Sequence, residues 1–144
     1  MHIYTRRGIL FDMKQMYHSK ETCVFLVNYH LIWCPKRRRN ILGDRLKTRL
    51  DELIRETAPA LECEILALDI LPDHLHLFVS TTPQWAPHQI VGRFKGNTSR
   101  ILRQEFPFLH QMPSLWTRSY FCSTAGHGSA DTIRRSIEAQ STRD

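Results

Sequence analysis

Leu71-Pro72-Asp73-His74-Leu75-His76-Leu77-Phe78-Val79 is the stretch on which the fold turns. Pro72-Asp73 is a tight-turn dipeptide, and the residues after it read as a short buried strand. Successive strand residues point to opposite faces. Leu75, Leu77 and Val79 therefore make an apolar core face, and His74, His76 and Phe78 share the other. The two imidazoles stand roughly 7 Å apart at the backbone, close enough to converge on one metal ion. Neutral imidazole is a common ligand for divalent metals. Two half-exposed histidines are the commoner meaning of such a pair, and a metal site is the other.

Outward from this strand the order of elements follows. Glu62 to Ile70 reads as a strand that the Pro72-Asp73 turn folds back onto His74–Ser80 as an antiparallel hairpin. Upstream, Leu46, Leu50, Leu53, Ile54 and Thr57 keep helical spacing, which predicts a helix over Asp44–Thr57 with Asp44 as its N-cap and Pro59 as its stop. Cys23 to Cys34, dense in Val, Phe, Tyr, Ile and Trp, reads as one long strand ending at Pro35. Downstream, Pro87 to Glu105 reads as a second helix with Pro87 in its first turn and Ile90, Phe94, Ile101 and Leu102 on its apolar stripe. Phe106 to Leu115 is irregular, Trp116 to Thr124 reads as a fourth strand, and Ala130 to Gln140 as a last helix capped by Ser129. This order predicts an α+β, ferredoxin-like (RRM-like) sandwich, an antiparallel sheet with helices on one face plus a C-terminal helix. Residues 20–144 form its single domain, and residues 1–19, polar and unperiodic, are expected to be a flexible N-terminal arm.

Charge narrows the partners. The chain of 144 residues has a formal net charge of +6, which favours a polyanion. Lys36, Arg37, Arg38 and Arg39 follow the first strand directly; such a run is either a solvated loop or a grip on a phosphate backbone. Arg93, Gly96, Asn97 and Arg100 fall on one helical face, either an ordinary polar outer face or a strip that meets nucleic acid. The four cysteines (Cys23, Cys34, Cys63, Cys122) are scattered with no Cys-x-x-Cys pair, as expected of reduced thiols in a cytoplasmic protein. No apolar run reaches membrane-spanning length and no signal-peptide h-region is visible, so no membrane partner is expected.

Several separated pieces together resemble one family. They are Tyr29-His30-Leu31-Ile32-Trp33 followed by Lys36 and Arg37, then Leu71-Pro72-Asp73-His74-Leu75-His76, Lys95-Gly96 with Ser99, Leu115-Trp116 leading to Ser119-Tyr120-Phe121, and Ile137-Glu138-Ala139-Gln140. In order and spacing the chain resembles the HUH single-tyrosine transposases of bacterial insertion sequences over roughly Cys23 to Gln140. The resemblance implies a homodimer that binds hairpins near the element ends in single-stranded DNA. It implies a divalent metal, Mg²⁺ or Mn²⁺, held by His74, His76 and Gln140, and a helix tyrosine that attacks the scissile phosphate. It also places Lys95 beside Lys36–Arg39, Arg93, Asn97 and Arg100 as DNA-contacting residues.

One position departs from the pattern. Where the family carries its tyrosine, four residues before the glutamine, this chain has Ser136. Serine is a possible nucleophile, but its hydroxyl reaches several ångströms less far than a phenol. A serine ester also lacks a phenolate-like leaving group for the reverse step (Tyr pKa about 10). The expectation is a cleavage-impaired transposase. The alternative is a non-catalytic nucleic-acid-binding module on the same fold. A two-histidine phosphodiesterase would need two His-x-Ser/Thr motifs, and only His127-Gly128-Ser129 offers one.

Overall fold

Hydrophobic alternation in the strands and a single apolar stripe on each helix leave one economical arrangement, helices laid on one side of a sheet. The computed structural model describes residues 3–5, 8–10 and 17–125, with side chains described from Tyr17 to Thr124. In chain order the elements are β1 (Ile3–Thr5), β2 (Gly8–Leu10), β3 (His18–Lys20), β4 (Cys23–Phe25), β5 (Val27–Trp33), α1 (Asp44–Thr57), β6 (Glu64–Leu71), β7 (His74–Thr81), α2 (Pro87–Glu105) and β8 (Phe121–Ala125). β5 to β8 form one antiparallel sheet in the order β6-β7-β5-β8. With β5 as first strand this is the β-α-β-β-α-β order of the ferredoxin-like sandwich expected from the sequence. β1 with β2 and β3 with β4 make two separate small hairpins. β3 lies at the junction of the expected arm and domain.

The core lies between the sheet and the helices. Leu31 and Trp33 of β5 and Leu75, Leu77 and Val79 of β7 meet Leu46, Leu50, Leu53 and Ile54 of α1 and Ile90, Phe94 and Leu102 of α2. Each such buried side chain contributes about 1.5–3 kcal/mol, more than exposed ion pairs such as Arg49–Glu105 can add. Hydrophobic packing therefore sets the position of the helices. Both helices have the predicted bounds. Asp44 is nevertheless not a side-chain cap: Gly43 holds the N-cap position without a side-chain hydrogen bond, and Asp44 is the first helical residue.

Two strand expectations are corrected. Cys23–Cys34 is not one strand. The chain changes partner at Leu26, β4 pairing with β3 while β5 pairs with β7 and β8. Composition alone carries no sign of a partner change. Trp116–Thr124 is a strand only from Phe121. Trp116 forms an isolated bridge to Pro35, and its buried indole Nε1–H donates to Thr98 Oγ1 at 3.0 Å. Trp116 is thus diverted into the helical layer before the sheet resumes at Phe121. The expected helix Ala130–Gln140 lies outside the described residues, and with it Ser136 and Gln140.

Candidate metal and nucleic-acid site

The pleat puts His74, His76 and Phe78 of β7 on the sheet face away from the helices, since their neighbours Leu75, Leu77 and Val79 are in the helical core. β7 is a central strand, so this face is not simply open: Phe78 is fully buried and His76 is only 8 % exposed. Across the ladder Ile32 of β5 and Asp69 of β6 stand opposite His76, and His30 of β5 stands opposite Phe78. That register brings a third imidazole to the pair. His30 Nε2 lies 3.0 Å from His76 Nδ1, with the rings nearly coplanar and edge to edge at 5.3 Å between centroids. The His74 and His76 rings meet edge to face at 5.0 Å.

Each candidate ligand is held by its Nδ1. His74 Nδ1 lies 2.7 Å from Asp73 Oδ1, and Asp73 Oδ2 in turn accepts a hydrogen bond from Arg38 at 3.1 Å. The His74 contact, with some help from Arg38, holds the Asp73 carboxyl below its ordinary range. Asp73 therefore remains an acceptor. A carboxylate on Nδ1 leaves Nε2 of His74 as the free ligand nitrogen, the arrangement common around metal-bound histidines. His76 Nε2 is buried and makes no hydrogen bond with a described residue. Burial, with the neighbouring His30 and His74, lowers the His76 pKa to about 4. The ring is therefore neutral, as a metal ligand must be. The neutral His76 ring and the His74 ring, held at Nδ1 by Asp73, each turn Nε2 to where a divalent ion fits. Among the described residues no three His, Cys, Asp or Glu side chains form a complete metal-holding group, so a third ligand must come from elsewhere.

The basic run sits beside this pair. Lys36–Arg38 form a tight 3-10 turn after Pro35, in which Arg37 and Arg38 take positive φ angles of 61° and 52°. Left-handed backbone costs a non-glycine residue about 1–2 kcal/mol, and here the turn carries Arg38 back to Asp73. Arg37 and Arg39 remain exposed. A cleft of about 400 Å³ next to His74 is lined by Arg38, Tyr120 and Phe121 among others, with both aromatic rings partly exposed.

The other expected DNA contacts lie elsewhere. α2 is in the helical layer, across the sheet from the histidines. Arg93 and Arg100 are exposed there, but Asn97 faces α1: its Nδ2 donates to Thr57 Oγ1 at 2.7 Å, and its Oδ1 accepts from Arg100 at 2.8 Å. Lys95 is half-buried and donates to the carbonyls of Thr117 and Ser119. This ammonium pins the segment leading into β8. The structure thus brings Lys36–Arg39 to the histidines and leaves the α2 strip on the far side. Sequence reasoning missed His30 and Asp73 as partners of the pair. Asp73 was detectable as a carboxylate adjoining His74. His30 was detectable only by assuming the β5–β7 register.

The fold and the histidine face together define a ferredoxin-like domain with a two-histidine strand. Comparison with known proteins agrees. The family model described as "Transposase IS200 like" matches residues 23–140, and the chain belongs to this IS200-like transposase family. It is 32% identical over 124 residues to the ISDra2 transposase TnpA of Deinococcus radiodurans, covering 84% of this chain and 89% of the relative. It is 25% identical over 133 residues to the transposase for insertion sequence element IS200 of Salmonella typhimurium, covering 88% and 85%. Among solved structures, a D. radiodurans transposase crystal structure superposes with a TM-score of 0.71 at 32% identity, covering 85% of this chain and 97% of that one. A REP-associated tyrosine transposase bound to a REP hairpin shares the fold at a TM-score of 0.56 and 13% identity, covering 83% and 69%. Among the described residues no helix is long and apolar enough to cross a membrane.

Proposed function

We propose that this transposase binds hairpin-containing single-stranded DNA and uses a divalent metal site, His74 and His76 completed by Gln140, but is impaired in cleavage because Ser136 stands where a tyrosine nucleophile is needed. The observation that carries the reading is the pair of histidines, each held through Nδ1 with Nε2 free. A bound Mn²⁺ or Mg²⁺ would supply Lewis-acid polarisation of the scissile phosphate; two imidazoles and an amide oxygen suit Mn²⁺ better than Mg²⁺. Asp73 and His30 hold the two rings. Arg37 and Arg39 lie where a strand approaching His74 would pass, and Tyr120 and Phe121 offer ring faces to unpaired bases. Hairpin binding is supported by the REP-bound relative of the same fold.

The DNA part is tested by salt dependence. Affinity for a hairpin with a single-stranded tail should fall steeply with salt, with a log–log slope of about −0.7 for each contacted phosphate of the single strand. Arg37→Gln with Arg39→Gln should flatten that slope by about 0.7 for each phosphate that the two arginines neutralise. Arg38 is the wrong residue to change for this purpose, because it also holds Asp73. Affinity indifferent to salt, or equal for a random duplex, would rule out hairpin recognition by this surface.

We also infer a homodimer. The apolar β5 cannot supply the pairing edge, since it is bonded on both sides by β7 and β8. The edge strands of the described sheet are β6 and β8, and β8 begins with the half-exposed Phe121. An unpaired apolar edge is the usual template for pairing with another chain. Sedimentation at micromolar concentration should show a dimer that Phe121→Lys weakens. A monomer under those conditions would refute it.

A further inference from the structure

We propose that His30 is a positioning residue for the metal site: by accepting the Nδ1–H of His76 at its own Nε2, it turns the Nε2 lone pair of His76 toward the ion. This rests on the metal reading above and adds to it a residue that is not itself a ligand.

The argument is one of proton placement. The two ring nitrogens 3.0 Å apart share one hydrogen. If His30 donated it, His76 would have to carry its own proton on Nε2, and that atom is buried with no described acceptor. A buried N–H without an acceptor loses its hydration for nothing. If His76 donates, Nε2 carries only a lone pair, which an ion can take. His30 is then the acceptor at Nε2 and keeps its proton on Nδ1. The same logic governs His74, whose Nδ1 must be the donor because Asp73 is a carboxylate. Both ligands thus present Nε2, through two different partners from two different places in the chain. Packing fixes the His30 ring itself, which meets Phe121 edge to face at 6.0 Å between centroids and lies edge to edge with His76 at 5.3 Å. Its Nε2 is therefore spent on His76 and does not reach the ion.

Two variants separate positioning from bulk. His30→Phe keeps an aromatic ring at this position but offers no acceptor. His30→Gln places a carbonyl oxygen near the position of Nε2 and restores one. In metal-free protein at neutral pH, ¹⁵N-resolved NMR should show His76 protonated on Nδ1 in the wild type and in His30→Gln. In His30→Phe the proton should move to Nε2, the nitrogen that free imidazole side chains prefer. Mn²⁺ affinity by calorimetry should fall about 10- to 100-fold in His30→Phe and return to within a few-fold in His30→Gln. A wild-type His76 protonated on Nε2, or Mn²⁺ bound equally by His30→Phe, would overturn the proposal while leaving the metal site standing. Equal loss in both variants would reduce His30 to a packing residue and overturn it as well. A wild type that binds no Mn²⁺ would remove the metal reading itself, and this inference with it.

Discussion

Ser136→Tyr should convert a protein that binds hairpin DNA without cutting it into one that leaves a denaturation-resistant protein–DNA species. The covalent step needs a hydroxyl whose oxygen reaches the scissile phosphorus. The phenol oxygen would attack, the bond from phosphorus to the 3′ oxygen would break, and the departing 3′-hydroxyl would take up a proton. Serine falls short in reach and makes a poor leaving group for the reverse step. In other covalent enzymes, loss of the nucleophile costs on the order of 10⁶ in rate. Supplying one to an assembled site should therefore raise adduct formation by at least about 10³-fold. Gel electrophoresis after denaturation, with 5′- and 3′-labelled strands and Mn²⁺, reads the outcome and shows which end is attached. An adduct in the unmodified protein, mapped to Ser136 or Tyr120, would overturn the claim of impairment. A Ser136→Tyr variant that folds, binds DNA and Mn²⁺ and still does not cut would show that more than the nucleophile is missing.

Removal of the two histidines should have the second large effect. His74→Ala with His76→Leu should weaken Mn²⁺ binding by more than about 100-fold, beyond the usual effect of losing an outer-shell partner, and abolish any cleavage gained by Ser136→Tyr. Leucine is chosen at position 76 because the ring there is buried and an apolar side chain offers no ligand, while truncation to alanine in a packed strand would add a cavity cost of about 1–3 kcal/mol. His74 is more open, with 18% of its side chain exposed, and tolerates alanine. A thermal-denaturation midpoint near that of the wild type establishes that the variant is folded. Mn²⁺ affinity unchanged in that folded variant would take both histidines out of the site.

The turn-and-strand signal of 71–79 and the apolar stripes of α1 and α2 carried the fold, because burial writes itself into local spacing. Pairing partners do not. Nothing in Cys23–Cys34 distinguishes the three residues that join β3 from the seven that enter the main sheet. Nothing in the run after Trp116 shows that the indole is taken by Thr98. At the site, His74 and His76 were legible from alternation, whereas the contact with His30 spans 46 positions and exists only once the strands are in register. Lys95 is the converse case. A cation in a basic protein suggests a phosphate partner, and no local spacing shows that the Thr117 and Ser119 carbonyls lie opposite it as backbone acceptors.

The strand order has a consequence for how the site comes into being. His74 and His76 belong to a hairpin with a two-residue turn, a unit that closes within about 1–10 μs. His30 lies on β5 and must wait for β7 to arrive beside it. During synthesis at about 5–20 residues per second, the 46 positions between His30 and His76 take roughly 2–9 s to follow. Throughout that interval the nascent chain carries the orienting ring without the pair it orients. Once β7 is made, the β6–β7 hairpin alone has both imidazoles with His76 free to carry its proton on either nitrogen. Only when the two central strands dock does the order of protons become fixed, so the orientation of the His76 ring depends on a long-range pairing and not on the hairpin that carries it.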